Sequence, residues 1–506
     1  MLISFLIGVF VLLALANVVL NCTNRVRGMR KHGCKRPRKY PHKDPFFGLD
    51  VIFEDQRANK EGRHIAVLQE RFHRCGKTYE QLRPDRARII NTMEAKMAQA
   101  VATQIDSFGF EPMRYGFPPT RAFFGRGILA VDGPFWEHSR ALIKPVFAKA
   151  QIANLASLDN HLSSLMTYIP KNGSTVDLQP LFKRLFVDTG MEFIFGESAG
   201  TLEPTTEANP ESFVQAFDEA LILLGQRLTL GPLWFLASNK DAYKNAYTKV
   251  HKIIDGYVSR AMGRGADDVE KHVGNGDEDD GKRTYFLPLE LGKVVKDPVE
   301  LRYQLLQIFF PARDTIAIAV SNIFFFLARH SDVFAKLRTE IESIGSSPLT
   351  FELLKSMRYL RYVYNETLRL RGPTGQAFRT ALHDCTLPLG GGPEGKSPVF
   401  LRKGDAVVVW MNCIHRDPDI WGSDAEEFKP ERWETARPLW EFIPFFGGPR
   451  ICPAQQMVFV QAAMTTVRLL QKFKAIENRD SEIQYLEVNK ITTESKNGCQ
   501  VSLIPV

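Results

Sequence analysis

The segment Phe445-Phe-Gly-Gly448-Pro-Arg450-Ile-Cys452-Pro453 constrains this chain more than any other. Two adjacent glycines make a tight turn that delivers a cysteine to the start of a helix. That helix is expected over Pro453 to Phe473, with Met457, Val460, Met464 and Val467 at helical spacing. Pro453 suits a first helical position, where its missing N–H would be unpaired anyway. A helix amino end favours an anion, and Arg450 adds positive charge, so both should lower the Cys452 thiol pKa. A thiolate there is a strong metal donor. The other cysteines (Cys22, Cys34, Cys75, Cys385, Cys413 and Cys499) are too scattered for a secreted disulfide framework, and the total of seven is odd. Reduced thiols are expected, with one of them carrying the chemistry.

Charge excludes one large class of function. The chain of 506 residues has 65 Lys and Arg against 57 Asp and Glu. Nine of those basic residues lie between Arg25 and Lys43, ahead of the first acid, Asp44, which leaves 56 basic against 57 acidic residues elsewhere. A body with no net positive excess is poorly suited to neutralising phosphates, so no nucleic-acid partner is expected. The basic cluster follows Leu2 to Leu20, an almost wholly apolar run. As a helix that run is ~28 Å long, close to the ~30 Å hydrocarbon core of a bilayer. Charge on its carboxyl side places the rest of the chain in the cytosol. A cleaved signal peptide is the competing reading, since Ala14-Leu-Ala16 resembles a cleavage site, but no basic residue precedes the apolar run. The expected organisation is therefore a membrane anchor over 1–20, a basic linker over 21–45 stiffened by Pro37, Pro41 and Pro45, and one large domain over 46–506.

Within that domain, residues 263–283 are acidic, Gly-rich and almost free of apolar side chains, and read as an exposed loop. Asp297-Pro298-Val299-Glu300 is a helix start, and the apolar run from Leu305 to Ala328 is too long for a strand. A second helix covers Leu360 to Leu370 and ends near Gly372-Pro373, while Ala406 to Trp410 reads as a strand after the turn Lys403-Gly404-Asp405. The fold class is mainly α with a minor β component.

Four further motifs precede the cysteine segment in the chain. Glu366-Thr-Leu-Arg369 precedes Pro430-Glu-Arg432-Trp433. Alone the first is weak: Glu54/Arg57, Glu80/Arg83, Glu111/Arg114, Glu137/Arg140 and Glu434/Arg437 have the same spacing, and a surface pair of this kind is worth only ~0.2–0.5 kcal/mol. Trp136-Glu-His-Ser-Arg140 puts an indole and a guanidinium on one helix face, able to converge on a carboxylate. Pro311-Ala-Arg-Asp314-Thr315-Ile316 places an acid and a hydroxyl inside the long apolar helix, beside a proline that cannot bond the Gln307 carbonyl.

Taken together these segments resemble the cytochrome P-450 superfamily over nearly the whole chain. The resemblance implies that Cys452 is the axial thiolate of a haem b in the family's loop, with Phe445 and Arg450 beside it. It implies that Glu366, Arg369 and Arg432 form a structural network, and that Trp136, Arg140, Arg379 and Arg450 serve the haem propionates. Asp314 and Thr315 would be the catalytic pair that relays protons across the oxygen-binding face. The departures are Pro311, Ala312 for the common glycine, Ile316 for a second threonine, and Ala454 after the cysteine.

The stretches Thr386 to Pro398, Arg402 to Asp405 and His415 to Trp433 resemble the fungal alkane and fatty-acid ω-hydroxylase branch. Nearer the pocket, Leu368-Arg-Leu-Arg-Gly-Pro-Thr-Gly375 departs from it. The implied activity is oxidation of an apolar substrate with molecular oxygen, using electrons from NADPH through cytochrome P-450 reductase, with cytochrome b5 as a further partner, at the endoplasmic reticulum membrane. Fungal secondary metabolism and fatty-acid or alkane hydroxylation are both open as settings. A haem-thiolate isomerase or dehydratase and a non-catalytic haem sensor are the alternatives; Asp314-Thr315 favours the monooxygenase. Leu230 to Leu236, apolar and lying between helical segments, reads either as a membrane-dipping access element or as core.

Overall fold

The long apolar run forms the axis of the molecule. In the computed structural model, which describes residues 16, 19–20, 22–82, 88–148, 155–203, 210–263 and 287–506, it is a helix over Pro298–Leu327. Its start is the one expected: the Asp297 side chain accepts the Val299 amide at 2.9 Å, and Pro298 occupies the first turn. Nearly every side chain from Ile316 to Leu327 is buried, on all faces. The helix is long and apolar enough to cross a membrane, yet it serves as core. Each fully buried Ile, Phe or Val there contributes roughly 1.5–3 kcal/mol.

The helices that position the site are α1 (Ala95–Thr103), α2 (Gly133–Ile143), α3 (Leu178–Phe195), α4 (Pro210–Leu230), α5 (Lys240–Gly263), α6 (Pro298–Leu327), α7 (Arg358–Arg371) and α8 (Gln455–Lys472). α6 packs along α3 and also contacts α5, α7 and α8. One apolar cluster joins α3, α6, α7 and α8, and a second joins α2, α4, α5 and the first half of α6.

A third cluster lies under a six-stranded mixed sheet of β1 (Arg38–Lys39), β2 (Thr78–Leu82), β3 (Arg88–Thr92), β4 (Phe108–Gly109), β5 (Ala377–Ala381) and β6 (Ala406–Val409). Its spatial order is β1-β2-β3-β6-β5-β4. The edge pairing matters for the site: Gly109 of β4 lies opposite Thr380 of β5, and Phe108 opposite Ala381, so the chain leaving β4 passes Arg379.

Two sequence expectations change. The helix after the cysteine begins at Gln455, not Pro453, and ends at Lys472, where Phe473 enters a strand. Part of the segment expected to be linker is folded onto the body, since residues 22–31 are helical. There Arg25 makes a bidentate pair with Asp405 at 2.6 and 3.0 Å, and the His32 ring stacks on Phe400. Gly28 sits so close to Phe400 that a Cβ would lie 2.3 Å from the ring. Most of the apolar run over 1–20, and the acidic loop beyond Gly263, lie outside the described residues.

Candidate active site

The cysteine is held by a strained turn. Phe446 is the single non-glycine residue with positive φ among the described residues, at 59°, a conformation that costs roughly 1–2 kcal/mol. It is followed by Gly447 and by Gly448, whose φ is 68°. A Cβ on Gly448 would sit 2.3 Å from the carbonyl oxygen of Ala102 at the end of α1, so only glycine allows this approach. The turn closes when the Cys452 amide donates to the Phe445 carbonyl at 3.2 Å.

Cys452 faces a cavity of about 310 Å³. Burial pushes its thiol pKa up, while the Ala454 amide and the Arg140 charge pull it down. This corrects the expectation that the helix end and Arg450 would together lower it. The helix starts three residues later, and Arg450 donates to the Asp132 carboxylate at 2.7 Å and the Val131 carbonyl at 3.2 Å.

The cavity brings most of the candidate residues together. Phe445, Trp136, Arg140, Arg379 and Arg450 line it with Cys452, and α6 contributes Ala312, Thr315 and Ile316. The Thr315 hydroxyl donates to the Pro311 carbonyl at 2.7 Å, and α6 continues through Pro311 unbroken. Asp314 does not line the cavity. Its carboxylate accepts from Arg313 at 2.9 Å, and Arg313 is buried and also paired with Asp218 of α4.

The cations of this wall exceed those read from the sequence. Arg114, which there was only one of several weak spacing matches, lines the cavity as a fourth arginine and donates to the Leu129 carbonyl. Burial lowers the pKa of all four, to about 10 for Arg114 and well below the ordinary value for Arg379, where the charges of Arg114 and Arg450 add to the effect. Asp132 is the acid bonded to this group, and the buried Nε of Arg450 has no hydrogen-bond partner. Such a wall has spare donors for an anion with more than one negative charge.

Glu366, Arg369 and Arg432 also meet, away from the cavity. Glu366 and Arg369 are fully buried and joined by two bonds, at 2.8 and 2.9 Å. Arg369 also donates to the carbonyls of His415, Ala425 and Glu427. Arg432 reaches Glu366 only at 3.4 Å and bonds Asp424 at 2.8 Å. Trp433, the last residue of its motif, donates its indole N–H to Glu366 at 3.0 Å, a role that spacing alone did not suggest.

These features fit a haem. Cys452 would give an iron one thiolate ligand, with the other ligands supplied by the macrocycle. The largely apolar walls suit that macrocycle's faces, and the arginines suit its two carboxylates.

Comparison with known proteins places this geometry in a family. The Cytochrome P450 family model matches residues 43–498. The chain is similar to cytochrome P450 monooxygenase apdE of Emericella nidulans, 36% identical over 478 residues that cover 94% of this chain and 90% of the relative. Cytochrome P450 monooxygenase iccC of Talaromyces variabilis is 38% identical over 480 residues, 94% of each chain. Cytochrome P450 52A12 of Debaryomyces hansenii is 35% identical over 496 residues, 94% of this chain and 93% of the relative. The chain belongs to the cytochrome P450 family, oxidoreductases that hold haem iron through a cysteine thiolate, take electrons from a redox partner and act as monooxygenases on small molecules.

Proposed function

We propose that this chain is a membrane-bound monooxygenase that oxidises an apolar small molecule as a tailoring step of fungal secondary metabolism, with NADPH-derived electrons delivered by cytochrome P450 reductase and cytochrome b5. The observation that carries this reading is a cavity with one thiol, Cys452, and one α6 hydroxyl, Thr315, between apolar walls. Haem bound through the Cys452 thiolate would supply the oxygen-activating iron chemistry. Arg114, Arg140, Arg379 and Arg450, with the Trp136 indole, would hold the two propionates. Thr315 would keep a proton at its hydroxyl beside the reacting position, and Asp314 would exchange that proton with solvent. The Glu366–Arg369–Arg432 network would hold α7 to the segment that carries His415, Asp424 and Glu427.

The substrate reading rests on the apolar part of the cavity lining, to which Ile128, Phe193, Ile194, Ile308 and Ile316 contribute with Thr315. The membrane reading rests on the apolar run at 2–20 and on exposed apolar side chains elsewhere. Leu233, Phe235 and Leu236 lie on the surface, which argues against core packing for that segment, and Phe46, Phe47 and Phe53 are exposed too.

The test is spectroscopic and then catalytic. The reduced carbon monoxide complex should show the strongly red-shifted Soret band of thiolate ligation, and Cys452→Ser should lose it. With reductase and NADPH, the wild-type protein should consume oxygen when an apolar substrate is added. A band that survives Cys452→Ser, or oxygen uptake indifferent to every apolar compound, would overturn the reading. Removing residues 2–20 should release the protein from membranes with haem binding intact; equal loss of haem would place that segment in the folded core.

A further inference from the structure

Three of the four cavity arginines share one aromatic ring. The guanidinium carbon of Arg379 lies 3.7 Å from the centroid of Phe110, that of Arg114 4.1 Å, and that of Arg450 4.9 Å. Phe110 itself lines the cavity. Three like charges this close repel, and the carboxylate bonded among them, Asp132, is already engaged. It accepts from Arg450 and from the backbone amides of Phe110 and Glu111, at 2.7, 2.9 and 2.8 Å. The remaining arginine bonds go to neutral carbonyls, of Leu129, Val131 and Phe378. A phenyl ring carries negative potential on its faces, and this attraction strengthens when water is excluded.

The chain is built to put the ring there. Phe110 follows β4 directly, and β4 pairs with β5, the strand that carries Arg379. Gly109 makes room for the clasp: a Cβ at that position would lie 2.1 Å from an Asp132 carboxylate oxygen. Arg114 comes four residues after Phe110, beyond the short turn Glu111–Met113.

We propose that Phe110 is a positioning residue for the propionate-binding arginines, its ring gathering Arg114, Arg379 and Arg450 into a cradle before the two carboxylates arrive. This rests on the haem reading above. Phe110 acts through the arginines; its contribution is preorganisation of charge, separable from its shape. Weakening the ring's electrostatic face should loosen the cradle, speed haem release and lower the iron's midpoint potential, since nearby positive charge favours the reduced, less positive iron.

The experiment replaces Phe110 in the full-length holoprotein with mono-, di- and trifluorophenylalanine, which nearly preserve shape while draining negative potential from the ring. Haem transfer to excess apomyoglobin and the midpoint potential are then measured. Release should accelerate with each fluorine, reaching roughly tenfold across the series, with the potential falling in step. Phe110→Leu should behave like the most fluorinated variant and Phe110→Tyr like wild type. A flat fluorine series in a wild-type background that binds haem normally would overturn the role of Phe110 alone. A wild-type protein that takes up no haem would overturn the haem reading, and this proposal with it.

Discussion

Thr315 donates its hydroxyl to the carbonyl of Pro311, 2.7 Å away and one turn back along α6. No proline N–H exists to bond the Gln307 carbonyl, and the next turn ties the hydroxyl to the proline itself. Thr315→Ala should leave haem content and substrate binding nearly unchanged. Product formation should fall by on the order of 10²-fold or more, with NADPH oxidation diverted to hydrogen peroxide. Thr315→Ser, which keeps the hydroxyl, should recover most of the coupling. The ratio of product to NADPH consumed decides; an unchanged ratio in Thr315→Ala removes the hydroxyl from the proton path.

Gly448 and Gly404 both have positive φ, at 68° and 90°, but only Gly448 faces a backbone oxygen at contact distance. Gly404→Ala should cost only the conformational penalty, roughly 1–2 kcal/mol. Gly448→Ala should displace the cysteine turn from α1 and abolish the red-shifted carbon monoxide band. Unfolding curves for the first and absorption spectra for the second check the contrast.

The buried pair predicts a large and specific stability loss. Glu366→Gln leaves Arg369 charged and fully buried against a neutral amide, which should cost about 3–5 kcal/mol. Asp424→Asn, which removes a more exposed partner of Arg432, should cost about 1 kcal/mol or less. Urea unfolding of the two variants side by side measures the gap, and similar losses would mean that Glu366 gains nothing from its burial.

Acid sensitivity should have an identifiable source in His415. Its Nε2 accepts the Ile443 amide at 2.9 Å, and burial together with Arg369 and Arg416 pushes its pKa down to about 3. The folded protein therefore keeps this ring neutral while the unfolded chain protonates it near 6.5. The stability contribution is complete above that value and is lost as pH falls from 6.5 towards 3, by up to ~1.4 kcal/mol per pH unit. His415→Gln keeps an acceptor for Ile443 and has no titration. Between pH 7 and pH 5 its urea midpoint should fall less than that of the wild type, and equal falls would rule His415 out.

Local spacing determined a good deal of this protein. The cap and length of α6 were readable because Asp297, Pro298 and the apolar run act within a few turns of one helix. The cysteine turn was readable because Gly447, Gly448 and Cys452 perform their task within a single loop. The Glu366 spacing, weak alone, gained meaning from its order with the Pro430 segment and the strongly constraining Cys452 segment. Other features only the tertiary structure could decide. The acid of the Asp314–Thr315 pair turns to Arg313, which reaches Asp218 on another helix. Arg25 leaves its expected linker role for a carboxylate at the end of a distant turn. Arg379 meets Phe110 and Arg114 where β4 pairs with β5, Arg450 reaches the same ring from the cysteine turn, and no periodicity within any of these segments reports that convergence. Side chains that act through their own helix or turn are written in local pattern. Charges that must share one ring or one carboxylate are placed by contacts between segments far apart in the chain, and those contacts exist only once the core has packed.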